Sequence, residues 1–249
     1  FHQRGVALLQ GYGMTESSPV ITVSSPTHAR RGAVGKAIAD VEVQISADGE
    51  VLTRGPHVMI GYWQKPEATA EVIRGGWLHT GDLGHLDDEG FLYITGRKKE
   101  IIVTAGGKNV APQPIEALLK RDPLVAEAVL VGDRRPFVSA LLVPEILAFE
   151  RRIAVEGLSP GNLSEQVTRG EVRRLFQSIV DRVNKELADF EQVKRFALLP
   201  TEFSVATGEL TPTMKVKRRV IEERWKEAIE GIYDSSGETG DSEQEAEGV

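Results

Sequence analysis

The sequence predicts an α/β protein in two parts: a strand-rich first part and a second part in which helices and strands alternate. Two patterns carry this reading. Val41, Val43 and Ile45 alternate with polar residues ahead of an Asp48-Gly49 turn, the period-two signature of a half-buried strand entering a hairpin. Beyond Gly96, by contrast, Val172, Leu175, Phe176, Ile179, Val183 and Leu187 recur at the spacing of an amphipathic helix. The chain has 249 residues, 41% apolar and 27% charged, which suits one large soluble domain or two smaller ones.

In chain order, the first hairpin runs through Val41, Val43 and Ile45, turns at residues 47–49 and returns through Val51-Leu52. Residues 66–73 suit a short helix, opened by Pro66 and closed by Gly75-Gly76. Asp87-Asp88-Glu89-Gly90 followed by Phe91-Leu92-Tyr93-Ile94 repeats the hairpin signal. Residues 114–121 then read as a helix stopped near Asp122-Pro123, 125–131 as a strand and 137–143 as a second strand. Thr168 and Glu171 have capping-box spacing ahead of the amphipathic helix. Residues 193–199 form another strand, and 217–230 a closing helix with Ile221, Trp225 and Ile229 on one face. The expected boundary between the parts lies at 96–99, separating 1–96 from 97–230.

The formal charge of −7 is local. Asp234, Glu238, Asp241, Glu243, Glu245 and Glu247 place −6 in residues 231–249, which hold no Lys or Arg, leaving −1 for the remainder. A Gly-, Ser- and Glu-rich tail buries too little apolar surface to offset its ordering entropy, so 231–249 is expected to be disordered. A nearly neutral body gives no reason to expect nucleic-acid binding. The absence of cysteine excludes disulfides and thiol catalysis and fits a cytoplasmic protein. No apolar run approaches the ~20 residues needed to span a bilayer. The five histidines show no metal-ligand spacing.

Four segments carry chemistry. In GYGMTES, residues 11–17, Tyr12 offers a ring to a flat base, Gly13 lets backbone approach a ligand, Thr15 offers a hydroxyl to a phosphate and Glu16 a carboxylate to Mg²⁺; a surface turn is the plain alternative. Thr80-Gly81-Asp82 sets a carboxylate on a tight turn, suited to vicinal hydroxyls, although most such aspartates only stabilise the turn. Arg97, Lys98 and Lys99 suit a phosphate or a solvated strand end. Gly106-Gly107-Lys108 is not a phosphate loop, because Ile102 replaces its first glycine and Asn109 its Ser or Thr; it reads as a flexible bend open to a ligand. Lys215 stands in a polar loop before the last helix, a compact positive charge for a phosphate or carboxylate.

In order, YGMTES, GWLHTGD, GRKKEIIVTAGGKNVAP and LTPTMKVKR resemble the successive motifs of the adenylate-forming (acyl-CoA synthetase/AMP-binding) superfamily. The resemblance covers nearly the whole chain up to the acidic tail. GGKNVAP and FEQVKRFALLP with GELTPTMKVKRR are most similar to bacterial long-chain fatty-acid CoA ligases. It implies that 1–96 is the strand-rich, distorted-barrel end of a large AMP-binding domain and 97–230 a small C-terminal lid domain.

It further implies two half-reactions: a fatty acid attacks ATP to give acyl-adenylate, and CoA then displaces AMP. Tyr12 and Gly13 would flank adenine, Thr15 contact phosphate and Glu16 bind Mg²⁺. Asp82 and Arg97 would hold the ribose, Lys99 mark the hinge, Gly106 and Gly107 approach CoA, and Lys215 bridge substrate carboxylate and α-phosphate. Gly96 stands where many relatives have Asp, and Thr213-Met214-Lys215 where the usual run is Thr-Gly-Lys. The phosphate loop and most of the acyl pocket are expected upstream of Phe1, so the chain alone is expected to be inactive. A lipid substrate makes peripheral membrane contact conceivable, with no basic amphipathic helix to argue for it. An aryl-CoA ligase, a peptide-synthetase adenylation domain, a nucleotide- or CoA-binding module without turnover and an inert folding unit or interaction domain are the alternatives.

Overall fold

The alternation at Val41, Val43 and Ile45 becomes a strand hairpin in a computed structural model of the protein that describes residues 5–156 and 162–234. Contacts divide the chain into two units, Phe1–Ile101 and Ile102–Val249.

In the first unit, β1 (Gly11–Tyr12), β2 (Thr22–Val23) and β3 (Lys36–Ala37) form a small antiparallel sheet. A second sheet holds β4 (Glu42–Ile45), β5 (Glu50–Arg54), β6 (Ile73–Arg74), β7 (Trp77–Leu86) and β8 (Leu92–Arg97), with α1 (Pro66–Val72) ahead of β6. The central strand β7 pairs with β5, β6 and β8, all antiparallel. Gly75 and Gly76, at φ 57° and 81°, make the two-residue turn between β6 and β7, a double left-handed turn that other residues adopt at a cost. Val51, Leu78 and Leu92 are fully buried at the centre of this sheet.

In the second unit, β9 (Ile102–Val103) and β10 (Asn109–Val110) form a hairpin, followed by α2 (Pro112–Leu119). Next come β11 (Val125–Val131), β12 (Ser139–Pro144), α3 (Ile146–Val155), α4 (Leu163–Gln166), α5 (Gly170–Asn184), β13 (Arg195–Leu198), α6 (Arg218–Arg224) and α7 (Lys226–Asp234). β12 lies between antiparallel β11 and parallel β13. Strand periodicity splits the core across this sheet. Ala128, Leu130, Ala140, Leu142 and Phe196 pack with Ile115, Phe149, Phe176 and Ile179 on one face. Val129, Val131, Leu141 and Val143 pack with Ile221, Ile232 and Tyr233 on the other.

Three expectations need correction. Thr168 does not cap α5: its hydroxyl donates to the Glu165 carbonyl at 2.8 Å, closing the preceding turn, and the residue at the cap is Arg169. The closing helix is two, because Trp225 (φ −102°, ψ 22°) leaves helical geometry where Arg224 Nε lies 3.3 Å from the buried Glu209 carboxylate. And α7 runs through Asp234, beyond the expected start of the tail at 231, since burial of Ile232 and Tyr233 offsets the cost of ordering them. The rest of the tail, 235–249, lies outside the described residues. Helix α3 went unread: its apolar residues Phe149 and Ile153 are interrupted by a charged run, Glu150-Arg151-Arg152. No described helix is long and apolar enough to cross a membrane.

Candidate nucleotide site

Strand β7 is irregular where its sequence is most distinctive. Leu52 pairs with His79 and Glu50 with Leu83, so the one β5 residue between them, Val51, faces three β7 residues, Thr80, Gly81 and Asp82. Such a bulge withdraws polar groups from the ladder and re-aims a side chain. Gly81 enables it at φ 73°; a Cβ there would meet nothing within 4 Å, so the constraint is conformational and not steric. The withdrawn groups find other partners: Thr80 Oγ1 donates to the Val51 carbonyl at 2.8 Å and accepts from Asp82 N at 3.1 Å. Gly81 N donates to Glu50 Oε1 at 3.0 Å.

Asp82, 5% exposed, is thereby set opposite Arg97 in the β7–β8 register. Arg97 Nε lies 2.7 Å from Asp82 Oδ1, and the Tyr12 hydroxyl donates to Asp82 Oδ2 at 2.7 Å. Two residues distant in sequence, Tyr12 and Arg97, thus converge on the one carboxylate of Asp82. Burial, opposed by Thr80 and reinforced by Asp82, pushes the Tyr12 hydroxyl well above the usual phenol range, so it stays a donor.

The neighbouring residues hold the approach. Gly13 is sterically required, because a Cβ would lie 1.7 Å from the Pro19 carbonyl oxygen. Thr15 is exposed at the start of the short 3₁₀ turn Thr15–Ser17, which Ser17 braces by accepting from Met14 N at 3.0 Å. Glu16, on the same turn, accepts from the Tyr62 hydroxyl at 2.7 Å, and this contact raises the Tyr62 pKa. Lys99 is exposed on a 3₁₀ turn following β8.

The remaining predicted residues belong to the second unit. Gly106 and Gly107 form the tip of the β9–β10 hairpin, where Thr104 N donates to the Lys108 carbonyl at 3.0 Å and Gly107 N to the Thr104 carbonyl at 2.8 Å. The bend is thus a hydrogen-bonded turn, with open space beside Gly107. Lys215 is exposed on a turn closed by a Leu210–Val216 bridge, with its N–H donating to Thr211 Oγ1 at 2.9 Å. Met214 takes φ 61°, the left-handed conformation that glycine adopts without strain.

Residues 99–237 match the AMP-binding enzyme C-terminal domain, and residues 1–63 match the AMP-binding enzyme family. The chain belongs to the AMP-binding enzyme family. Among curated relatives, this chain is 44% identical over 233 residues to "Long-chain-fatty-acid--CoA ligase FadD15" of Mycobacterium bovis, covering 92% of this chain and 38% of that protein. It is 38% identical over 256 residues to "Long-chain-fatty-acid--CoA ligase ACSBG1" of Rattus norvegicus, covering 92% of this chain and 35% of that one. The chain thus spans well under half the length of these relatives. Among solved structures it is similar to the O-succinylbenzoate Coenzyme A synthetase MenE from Bacillus subtilis in complex with ATP and magnesium ion, at TM-score 0.66 and 29% identity over 88% of this chain and 42% of that one.

Sequence reasoning passed over three residues of this chain. Glu50, 4% exposed, is a carboxylate at the head of a strand buried on both faces; following an Asp-Gly turn, it reads as one more solvated hairpin acid. Tyr62 stands far from Glu16 in sequence, and no local pattern joins them. Glu209, 1% exposed, accepts from Ser204 N at 3.2 Å and from Thr207 Oγ1, while its carbonyl accepts from Lys217 N at 2.7 Å, so it braces the base of the Lys215 turn.

Proposed function

We propose that this chain carries the ribose-gripping strands and the C-terminal domain of an AMP-forming acyl-CoA ligase that activates long-chain fatty acids with MgATP and transfers the acyl group to CoA. The supporting observation is the buried Asp82 carboxylate with one oxygen on Tyr12 and the other on Arg97. A carboxylate so held is oriented before a ligand arrives, and each oxygen retains a second lone pair for one hydroxyl of a vicinal diol. The choice of fatty acid is supported by relatives that bear the name long-chain fatty-acid CoA ligase.

In this reading a fatty-acid carboxylate oxygen attacks the α-phosphorus of ATP. An acyl–O–P bond forms as the bond to pyrophosphate breaks, and pyrophosphate leaves with the electron pair. The CoA sulfur then attacks the acyl carbonyl, the C–S bond forms, the C–O bond to AMP breaks, and the thiol proton passes to solvent. Asp82 and Arg97 hold the ribose, Tyr12 and Gly13 border the base, and Thr15 hydrogen-bonds phosphate. Lys215 neutralises charge shared by substrate carboxylate and α-phosphate, and Gly106 and Gly107 admit CoA beside open backbone. Lys99 is the hinge position.

Magnesium arrives with ATP. Among the described residues no group of three or more His, Cys, Asp or Glu is arranged to hold a metal. A lone carboxylate, Glu16, suits an ion that keeps its phosphate and water ligands.

Pyrophosphate exchange tests the proposal. The full-length protein should return labelled pyrophosphate to ATP only when palmitate is present. Exchange with O-succinylbenzoate or benzoate but not palmitate would move the substrate to aryl acids, and no exchange with any acid would contradict adenylate formation.

A further inference from the structure

Glu50 has no part in the roles assigned above, yet it is among the most buried charged side chains in the first unit. Its two oxygens serve different masters. Oε1 accepts the Gly81 N–H at 3.0 Å, the donor that the bulge ahead of Asp82 strips from the strand ladder. Oε2 receives Lys98 Nζ at 3.0 Å and His79 Nδ1 at 3.2 Å. Lys98 is further tied to Asp48 at 2.6 Å. Lys98 lies between Arg97, which pairs with Asp82, and Lys99, the proposed hinge position. One carboxylate therefore fastens both flanks of the Asp82–Arg97 pair, at Gly81 on β7 and at Lys98 just past β8.

The backbone of Glu50 is itself fixed. Its N–H donates to Ser46 Oγ at 2.9 Å and its carbonyl accepts from Ser46 N at 2.9 Å, closing the β4–β5 turn around it. A buried carboxylate with charged and backbone donors on both oxygens has a single low-energy orientation, and it transmits that orientation to what it holds. Without it, Gly81 N would be an unpaired donor on a left-handed glycine with open space around it, and the bulge would have alternative conformations to adopt.

Resting on the proposed nucleotide function, we infer that Glu50 is the positioning residue of the ribose site: through Gly81 and Lys98 it fixes Asp82 and Arg97 in the geometry that recognises the ribose hydroxyls. Glu50 does not touch the ligand. Its effect is confined to the part of the affinity that depends on the 2′ and 3′ hydroxyls.

The test compares AMP with 2′,3′-dideoxy-AMP by titration calorimetry in the full-length protein, well below the unfolding temperature of every variant. The wild type should prefer AMP by about 10- to 100-fold, the range expected for hydrogen bonds to a charged acceptor. Glu50→Ala should cut that preference by about tenfold through weaker AMP binding, leaving dideoxy-AMP binding within about twofold. The isosteric Glu50→Gln keeps a neutral acceptor for Gly81 and should cut it by about threefold, which also covers the case of an unfolded alanine variant. An unchanged preference in the glutamine variant, or equal weakening of both nucleotides, overturns the inference while leaving the nucleotide function standing. A wild type that binds neither nucleotide overturns the functional reading and this inference with it.

Discussion

Replacing Asp82 with alanine removes the group on which the proposed nucleotide site converges, and the structure sets the size of the effect. The lost carboxylate accepts from Tyr12 Oη and Arg97 Nε, each at 2.7 Å. Arg97 is half exposed and regains water at little cost, whereas the Tyr12 hydroxyl is partly buried and loses its acceptor. Leaving that donor unpaired should cost about 1–3 kcal/mol of stability, read as a shift in the urea midpoint at unchanged slope. AMP should lose its ribose contacts as well. Taking about 2–3 kcal/mol for hydrogen bonds to a charged acceptor, the dissociation constant rises roughly 30- to 150-fold by titration calorimetry. Tyr12→Phe separates the two effects, since it deletes the donor but keeps the carboxylate: stability should fall by about 1 kcal/mol with AMP affinity within about threefold. A folded Asp82→Ala protein that binds AMP within threefold of wild type would refute the assignment of Asp82 to the ribose.

Two further outcomes follow from backbone strain and protonation. Met214→Gly relieves a left-handed non-glycine residue and should raise stability by about 0.5–1 kcal/mol despite the added chain entropy, with thermal unfolding as the check; a loss would show that the Met214 side chain contributes more than its strain costs. Burial raises the Glu50 carboxyl, but His79, Lys98 and the Gly81 N–H outweigh it and leave the group below its ordinary value. The contribution of its charge to stability is then complete above the ordinary glutamate pKa of about 4.3 and fades as pH falls through the lower folded value. The stability gap between wild type and Glu50→Gln, measured by urea denaturation from pH 6 to pH 3, should be constant at first and narrow below about pH 4. A gap that widens on acidification would reverse the sign.

The strands were legible where one physical signal sufficed. Alternation at Val41, Val43 and Ile45 with an Asp-Gly turn specifies a hairpin locally, and the apolar spacing of α5 needs only a core to face. The failures share a different cause. Thr168 and Glu171 have the right spacing for a cap, but spacing does not say that Thr168 already closes the previous turn. The division between α6 and α7 coincides with Arg224 reaching Glu209, a contact made outside the helix. Within the candidate site, Tyr12, Asp82 and Arg97 were nameable because each sits in a distinctive motif. Glu50 was not, because its importance lies in partners at positions 79, 81 and 98 and in a burial that a lone acid after a turn does not announce.

The most direct test of the proposed adenylate-forming activity separates the two half-reactions in Lys215→Ala. In the full-length protein, palmitate-dependent pyrophosphate exchange should fall by about 10² to 10³, the usual cost of losing one preorganised electrostatic contact, while CoA thioester formation from pre-made palmitoyl-adenylate stays within a few-fold of wild type. Equal loss in the two half-reactions would contradict the account.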